Sequence, residues 1–266
     1  MPYSRANGVK IHYEKVGEGP GMVLLHGHPY DHDLWLYQTA HFSTWFTVIG
    51  IDIRGYGRSE QDTGTYDLTD MAGDVLGVMN DEGVDKAVVM GCSMGSRLAL
   101  YLGQQRPERF AAIVAVGGNS KPSDHAQKNI DGFLQKGIEG YHRDYIEELV
   151  APGFQETRLG RYLLDMFLER GPGLNAEAIA QTFRASSLTI DCTPGLAGMA
   201  MPVLVINGEF DHALEGGKKS ASLIPGAVHR VIPGAGHSCP LEDPATFDRC
   251  VLDFLRGHGL IETRKG

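Results

Sequence analysis

Short, continuous apolar runs recur along this chain and limit its possible folds more than any other feature. They occupy residues 22–25, 47–51, 87–90, 110–116, 203–206 and 227–232. Runs of this length are typical of parallel strands that are buried on both faces. Candidate helices lie between them, near 31–42, 69–82, 95–105, 213–224 and 243–257. The alternation predicts an α/β protein with a doubly wound, mostly parallel sheet and right-handed crossovers.

The N-terminal edge of the sheet follows a different pattern. Residues 9–16 alternate between apolar and polar side chains, as in a strand with one solvated face, and Asn7-Gly8 precedes them. This dipeptide is a hairpin-turn signal. We therefore expect the sheet to begin with antiparallel pairing.

One long interval, residues 119–198, interrupts the alternation. It contains amphipathic stretches and no strand pattern. We predict a core domain of residues 1–118 and 199–266, and a helical cap of residues 119–198. Because the interval separates two core strands, we expect it to cover the carboxyl ends of the sheet and to roof a pocket. The alternative is a peripheral insertion that only adds surface.

Charge and composition argue against several classes of partner. Acidic side chains outnumber basic ones by 33 to 24, the net charge is -9, and no segment concentrates lysine and arginine. This balance disfavours nucleic acid and anionic membranes as partners. No stretch approaches ~20 apolar residues, and the N-terminus lacks the apolar core of a signal peptide, so we expect a cytoplasmic protein. The four cysteines form no Cys-x-x-Cys pair, which favours reduced thiols: Cys92, Cys192, Cys239 and Cys250.

The sequence Gly91-Cys92-Ser93-Met94-Gly95 lies between a predicted strand and a predicted helix. A glycine two positions on either side of a serine permits a sharp turn that exposes the serine hydroxyl at its apex, an arrangement known as a nucleophile elbow. Ser93 is therefore the candidate nucleophile. The alternative is a glycine-rich turn whose serine has no catalytic role.

A serine hydroxyl needs a base, and the base needs a carboxylate that holds its tautomer. His237 follows the last apolar strand, and Asp211 follows the preceding one, so both are expected at the carboxyl edge of the sheet. The chain order Ser93, Asp211, His237 is one of the known orders for this constellation. Glu209 is the competitor of Asp211.

Two other polar residues that follow predicted strands are not assigned to the catalytic group. We expect Asp52 to be structural, within a polar turn that also contains Arg54, Gly55, Gly57 and Ser59. Asn119 follows the strand after the elbow. A carboxylate at this place could hold the tautomer of the base, but the amide of Asn119 cannot take that role.

A tetrahedral intermediate needs two backbone N–H donors for its oxyanion. Met94 opens a helix directly after the candidate nucleophile and supplies one donor. We assign the other to His28, in the turn His26-Gly27-His28-Pro29. The side chain of His26 is expected to support this loop. No spacing among these residues demands a cation, and we expect neither a metal nor a cofactor.

Taken together, these motifs resemble those of the α/β-hydrolase superfamily with a helical cap. The resemblance covers nearly the whole chain through the oxyanion loop, residues 52–59, the elbow, Gly208-Glu209-Phe210-Asp211 and Gly236-His237. It implies an eight-stranded, mostly parallel sheet. Members with this pattern include carboxylesterases, enol-lactonases, cofactor-free haloperoxidase or perhydrolase relatives, and carbon-carbon bond hydrolases.

Departures from these subfamilies narrow the expected activity. Epoxide hydrolases and haloalkane dehalogenases have aspartate at the elbow, so Ser93 argues against both. Carbon-carbon hydrolases usually carry a glycine-rich run after the oxyanion His-Gly and a tryptophan after the catalytic histidine, whereas this chain has His28-Pro29-Tyr30 and Ser238. We expect a serine hydrolase acting on a small carboxylic ester or lactone. The alternatives are carbon-carbon cleavage of ring-cleavage products and a non-catalytic ligand receptor.

Aromatic and methionine side chains near the predicted pocket are candidates for its wall, although such residues more often lie in a core. These candidates are Tyr30, Trp35, Phe133, Phe154, Met166 and Phe167.

Overall fold

The computed structural model describes residues 2–122 and 125–261, and they form a sheet of eight strands. The strands are β1 (Tyr3–Ser4), β2 (Ile11–Val16), β3 (Gly21–Leu25), β4 (Thr47–Ile51), β5 (Ala87–Cys92), β6 (Phe110–Val116), β7 (Val203–Gly208) and β8 (Val228–Ile232). Their spatial order is β1-β2-β4-β3-β5-β6-β7-β8. The pairs from β3 to β8 are parallel, whereas β2 pairs antiparallel with β1 and β4. The predicted α/β fold class is confirmed.

Helices cover both faces of this sheet. They are α1 (Leu36–Phe42), α2 (Leu68–Asp81), α3 (Met94–Gln105), α4 (His125–Glu147), α5 (Arg158–Leu168), α6 (Ala176–Ser187), α7 (Leu214–Leu223), α8 (Cys239–Glu242) and α9 (Pro244–Gly257). The predicted helix near 31–42 is divided, because Asp31 caps a separate 3-10 turn, His32–Trp35, before α1 begins.

The central strands are buried along their whole length. Every residue of β3 and of β5 is buried, which agrees with the continuous apolar runs in the sequence. Leu25 is in register with Ile51 of β4 and with Gly91 of β5. The loops after these strands therefore leave the sheet at the same edge, and they bring their polar residues to one place.

The N-terminal hairpin closes the antiparallel edge. Tyr3 pairs with His12, and the Gly8 N–H donates to Arg5 O at 2.9 Å within the turn. Asn7 donates to Asp74 Oδ1 at 2.9 Å, which fixes the turn against α2. The predicted antiparallel start of the sheet is confirmed.

The segment between β6 and β7 contains α4, α5 and α6, and no strand within its described residues. Gly137, at φ 70°, kinks α4 into two parts. Thr182 of α6 donates to Arg54 O at 3.2 Å, and Gln61 donates to Gly173 O at 2.8 Å. These helices therefore contact loops that follow the core strands.

Among the helices of residues 2–122 and 125–261, none is both long and apolar enough to span a membrane.

Candidate active site

Ser93 lies at the turn between β5 and α3 with φ 53° and ψ −111°. Among the non-glycine residues that the structure describes, it alone has a positive φ. Such a backbone costs on the order of 1–3 kcal/mol and persists only where the surroundings impose it. Here the Ser93 N–H donates to Val116 O of β6 at 2.7 Å, which anchors the turn. This geometry is that of a nucleophile elbow.

The two glycines of the elbow permit close packing of backbone on backbone. A Cβ at Gly91 would collide with the carbonyl of Gly95, and a Cβ at Gly95 would lie 2.6 Å from His26 O. The loop after β3 is equally close, since a Cβ at Gly27 would lie 2.9 Å from Ser93 Cβ. The glycines thus bring the oxyanion loop against Ser93.

Asp211 and His237 are hydrogen-bonded to each other. His237 Nδ1 lies 2.7 Å from Asp211 Oδ1, and both residues are buried. Asp211 also accepts from the Ala213 N–H at 2.8 Å and from Asn207 Nδ2 at 2.8 Å. An Asp211 carboxylate that accepts from His237 Nδ1 leaves His237 Nε2 available as the base.

The two loops that carry this pair are packed together. The Phe210 N–H donates to Ala235 O at 2.9 Å, and a Cβ at Gly208 would collide with the carbonyl of Gly236. The close approach of β7 and β8 at their carboxyl ends therefore sets the distance between Asp211 and His237.

The environment of Asp211 favours its ionised form. Burial alone would raise its pKa, but the charge and hydrogen bond of His237, with the Ala213 N–H and the Asn207 amide, lower the pKa to about 2. Asp211 is therefore a carboxylate at neutral pH, as required of a group that stabilises an imidazolium.

Ser93 and His237 line the same cavity, whose volume is about 150 Å³, and His28 and Met94 contribute to its wall. No hydrogen bond joins the Ser93 hydroxyl to His237 within residues 2–122 and 125–261. Nucleophile and base are often loosely aligned without substrate and tighten when it binds. The structure thus brings all five predicted site residues to one cavity or its immediate support.

The two expected oxyanion donors flank Ser93. Met94 is the first residue of α3, and the first N–H groups of a helix have no partner within the helix. His28 follows Gly27, whose backbone is in contact with Ser93. Both N–H groups therefore belong to segments that border the nucleophile.

The side chain of His28 has a packing role that sequence reasoning did not reveal. Its ring stacks on Phe183 of α6 with a centroid distance of 3.4 Å, and its Nδ1 contacts the Tyr56 hydroxyl. Burial, with the proximity of His26, lowers the pKa of His28 well below the usual range. The imidazole is therefore neutral at pH 7 and joins the oxyanion loop to the helical segment.

His26 supports the loop, as expected. The Ile53 N–H donates to His26 Nε2 at 3.0 Å, and His26 Nδ1 lies 2.9 Å from Gly27 O. Since Nε2 is the acceptor, Nδ1 carries the proton. His26 thus connects the loops that follow β3 and β4.

Asp52 and Glu209 have partners other than His237. Asp52 is fully buried and contacts His12 Nδ1 at 2.8 Å and His32 Nδ1 at 2.6 Å. Glu209 accepts from the Gly234 N–H at 2.8 Å. Asp52 is therefore structural, and Glu209 is not the partner of His237 in this structure.

Two groups of side chains have donor atoms within 4.8 Å of one another, a spacing at which a metal ion could be held. One group is His12, His32 and Asp52, and the other is Asp211, His212 and His237. In the first group both imidazoles are hydrogen-bonded to Asp52, and in the second His237 is hydrogen-bonded to Asp211 while the ring of His212 stacks on that of His237.

The candidate wall residues lie outside this cavity, in agreement with the core interpretation of such residues. None of the six candidates lines the described wall of the cavity at Ser93, where the aromatic residues are Tyr145 and Phe183. Trp35 packs against Phe247 in the core, and Tyr30 packs against Phe167. The kink of α4 and the packing of α6 decide which aromatic side chains face the cavity, and the sequence does not show either.

Three further residues support the site or line its cavity, and they were not predicted from the sequence. Asn207 donates to Asp211, and Glu242 accepts from the N–H groups of Gly236 and Ala151 at 3.0 and 2.7 Å. Glu242 therefore ties the His237 loop to the helical segment. Arg97, four residues after Ser93, lines the cavity. Its spacing from Ser93 is the one signal that the sequence offered, since residues four apart share a helix face.

Known proteins resemble this chain in sequence and in structure. A family model described as the alpha/beta hydrolase fold matches residues 20–244. The enol-lactonase from Burkholderia xenovorans LB400 is 26% identical, has a TM-score of 0.90, and aligns over 96% of this chain and 100% of its own. A bifunctional esterase/perhydrolase from Acinetobacter calcoaceticus is 28% identical over 94% of this chain and 97% of its own. A non-heme chloroperoxidase from Kitasatospora aureofaciens is 27% identical over 94% of this chain and 97% of its own.

These relatives share a fold and differ in activity. The match to the family model spans the oxyanion loop, the elbow, Asp211 and His237. The chain therefore belongs to the alpha/beta hydrolase fold family.

Proposed function

We propose that this protein is a serine hydrolase that cleaves a small carboxylic ester or lactone through an acyl-enzyme. Ser93 attacks the carbonyl carbon, and His237 accepts the hydroxyl proton. Asp211 stabilises the resulting imidazolium, and the N–H groups of His28 and Met94 stabilise the oxyanion. His237 then returns the proton to the leaving alkoxide, and water activated by His237 hydrolyses the acyl-enzyme.

The observation that supports this proposal most strongly is that a strained Ser93 and His237 line one cavity, while His237 is hydrogen-bonded to an ionised Asp211 behind it. The strained backbone at Ser93 presents its partly buried hydroxyl to the cavity, and such strain is typical of functional sites. Two of the relatives carry the names enol-lactonase and esterase, which agrees with acyl transfer.

We further propose that residues 119–198 act as a cap over this chemistry. Tyr145 of α4 and Phe183 of α6 form part of the cavity wall, and His28 stacks on Phe183. The cavity of about 150 Å³ is smaller than the roughly 300–1,000 Å³ of common ligand pockets. The cap therefore favours a short acyl group, and small-molecule substrates are the partners we expect.

The test is a parallel assay of esters, lactones and ring-cleavage diketones with the wild type and Ser93→Ala. The proposal predicts hydrolysis of a short ester or lactone and a loss of at least ~10³-fold in kcat for Ser93→Ala. Ser222→Ala, on α7, is the control and should retain activity. Equal activity in Ser93→Ala, or turnover of diketones alone, would contradict the proposal.

A further inference from the structure

Arg97 occupies a specific position relative to the candidate nucleophile. The Arg97 N–H donates to Ser93 O at 3.2 Å, so the two residues are one helical turn apart at the start of α3. Four residues correspond to a rise of about 6 Å. The Arg97 side chain lines the cavity that contains Ser93 and His237. Arg97 and Ser93 therefore face the same cavity, one helical turn apart.

This cation is buried without a carboxylate in ion-pair contact, although the charge of Asp191 acts on it from a greater distance. Arg97 is 5% exposed, and its guanidinium donates to Ile190 O at 3.2 Å and, weakly, to Asn119 Oδ1 at 3.5 Å. Within residues 2–122 and 125–261, no carboxylate lies within 4.0 Å of it. A buried charge is costly unless it is paired.

Arg54 provides an internal comparison. It is buried to a similar extent, at 3% exposed, and it forms a two-pronged ion pair with Asp74, with Nε–Oδ2 and Nη2–Oδ1 distances of 2.6 Å. Burial lowers the pKa of Arg97, whereas for Arg54 the hydrogen bond and charge of Asp74 outweigh burial and raise the pKa. The fold thus pairs one buried arginine and leaves the other facing the cavity.

The remaining charge in the cavity wall has the same sign. Lys121 also lines the cavity, and the described lining residues include neither aspartate nor glutamate. The protein as a whole carries a net charge of -9. A local cluster of positive charge in an acidic protein selects for a negatively charged ligand.

We propose that Arg97 binds a carboxylate carried by the substrate, with Lys121 adding to the attraction. A guanidinium presents paired N–H donors that match the two oxygens of a carboxylate. The small cavity and the short distance from Ser93 limit the spacer between carboxylate and reacting carbonyl to a few carbon atoms. The substrate is therefore a half-ester of a short dicarboxylic acid, or a lactone that bears a carboxylate. This inference rests on the proposed hydrolase function and specifies its substrate class.

The test compares two esters of nearly equal shape and different charge. Monomethyl succinate is ionised at pH 7, and methyl 4-oxopentanoate replaces its carboxylate with a neutral acetyl group. We expect the wild type to favour the charged ester at least tenfold in kcat/KM. Arg97→Met should lower kcat/KM for the charged ester by roughly 10- to 100-fold, since it removes hydrogen bonds to an ion. The same substitution should change kcat/KM for the neutral ester by no more than about threefold.

Two controls keep this test independent of folding. Arg143→Met removes an exposed arginine of α4 and should change kcat/KM for neither ester. Succinate, added to the wild type, should competitively inhibit hydrolysis of methyl 4-oxopentanoate, and succinamide should not. This second measurement needs no variant, so it remains decisive if Arg97→Met does not fold.

The inference would be overturned if the wild type showed no preference for the charged ester, if Arg97→Met affected both esters equally, or if succinate and succinamide inhibited equally. Hydrolysis of the neutral ester that depends on Ser93 would still support the hydrolase. If no ester or lactone were hydrolysed, the hydrolase proposal would fail. Calorimetric binding of succinate to wild type and Arg97→Met would then still test the carboxylate site.

Discussion

At the scale of single residues, the hydrogen bond between Asp211 and His237 is the interaction on which the proposed chemistry depends. Asp211→Asn keeps the shape of the side chain and removes the charge, so the imidazole loses its tautomeric control and the imidazolium loses its counter-ion. We expect kcat to fall by roughly 10²- to 10⁴-fold with little change in stability. Steady-state kinetics and thermal unfolding measure the two effects.

Glu209→Gln is the matched control, because Glu209 lies two residues away and accepts from the Gly234 N–H. It should keep kcat within a few-fold of the wild type. The reverse pattern, with Glu209→Gln inactive and Asp211→Asn active, would transfer the orienting role to Glu209.

The juxtaposition of Ser93, Asp211 and His237 could be predicted, because each follows a parallel strand and such strands end at one edge of the sheet. The residues that contact and support this group could not be predicted in the same way. Phe183 reaches His28 only through the packing of α6, and Glu242 of α8 accepts from the N–H of Ala151, which is distant in the sequence. Contacts of this kind depend on tertiary packing rather than on local sequence pattern.

At the scale of elements, the elbow between β5 and α3 requires glycine at position 91. A methyl group there would meet the backbone of Gly95, which cannot move without displacing the start of α3. We expect Gly91→Ala to lower the free energy of unfolding by about 3 kcal/mol, measured by urea denaturation.

Gly257→Ala is the control for this substitution, because a Cβ at the end of α9 meets no heavy atom within 4 Å. Its stability should match the wild type or rise slightly. Equal destabilisation by both variants would mean that the elbow packs less tightly than the structure shows.

The buried pair of His32 and Asp52 makes stability depend on pH. Burial would lower the pKa of His32, but the hydrogen bond and charge of Asp52 raise it to about 9. A raised pKa stabilises the folded state fully below the unfolded value near 6.5, and this contribution is lost as pH rises through about 9. The destabilisation caused by His32→Gln should therefore be larger at pH 6 than at pH 9.5, by about 2–3 kcal/mol.

Urea unfolding at the two pH values measures this difference. His258→Gln, at the exposed end of α9, is the control and should have a small effect at both. A destabilisation by His32→Gln that is the same at pH 6 and pH 9.5 would show that the pair does not carry the charge described.

The elements themselves could be predicted where the apolar pattern is continuous, as in β3 and β5. The helix expected near 31–42 was less predictable, because the Asp31 side chain accepts from the Asp33 N–H at 2.9 Å and starts a separate 3-10 turn. A capping bond of one side chain thus overrode a periodic pattern.

At the scale of the whole molecule, we expect the proposed cap, residues 119–198, to limit the size of the cavity over Ser93. Tyr145 of α4 is part of the wall, so Tyr145→Ala should admit longer acyl groups. In a series of esters from butanoate to octanoate, we expect the ratio of kcat/KM for octanoate to that for butanoate to rise roughly tenfold.

Tyr162→Ala supplies the comparison, since Tyr162 of α5 is 70% exposed and lies outside the cavity wall. Its ester preference should equal that of the wild type. An unchanged preference in Tyr145→Ala would show that the segment does not limit the substrate and would favour a peripheral insertion.

The proposed position of this segment over the site rests on its insertion between β6 and β7. Which of its side chains line the cavity could not be predicted, because the sequence pattern does not show that α4 is interrupted at Gly137, at φ 70°. The aromatic residues chosen from sequence, such as Trp35, belong to the core instead.

The most direct measurement for the central claim is the site and rate of labelling by a fluorophosphonate, read by intact mass and peptide mapping. We predict a single adduct on Ser93, its absence in Ser93→Ala, and labelling slowed by at least ~100-fold in His237→Ala, because His237 activates the hydroxyl. No adduct on the wild type, an adduct on another residue, or an equal rate in His237→Ala would contradict it.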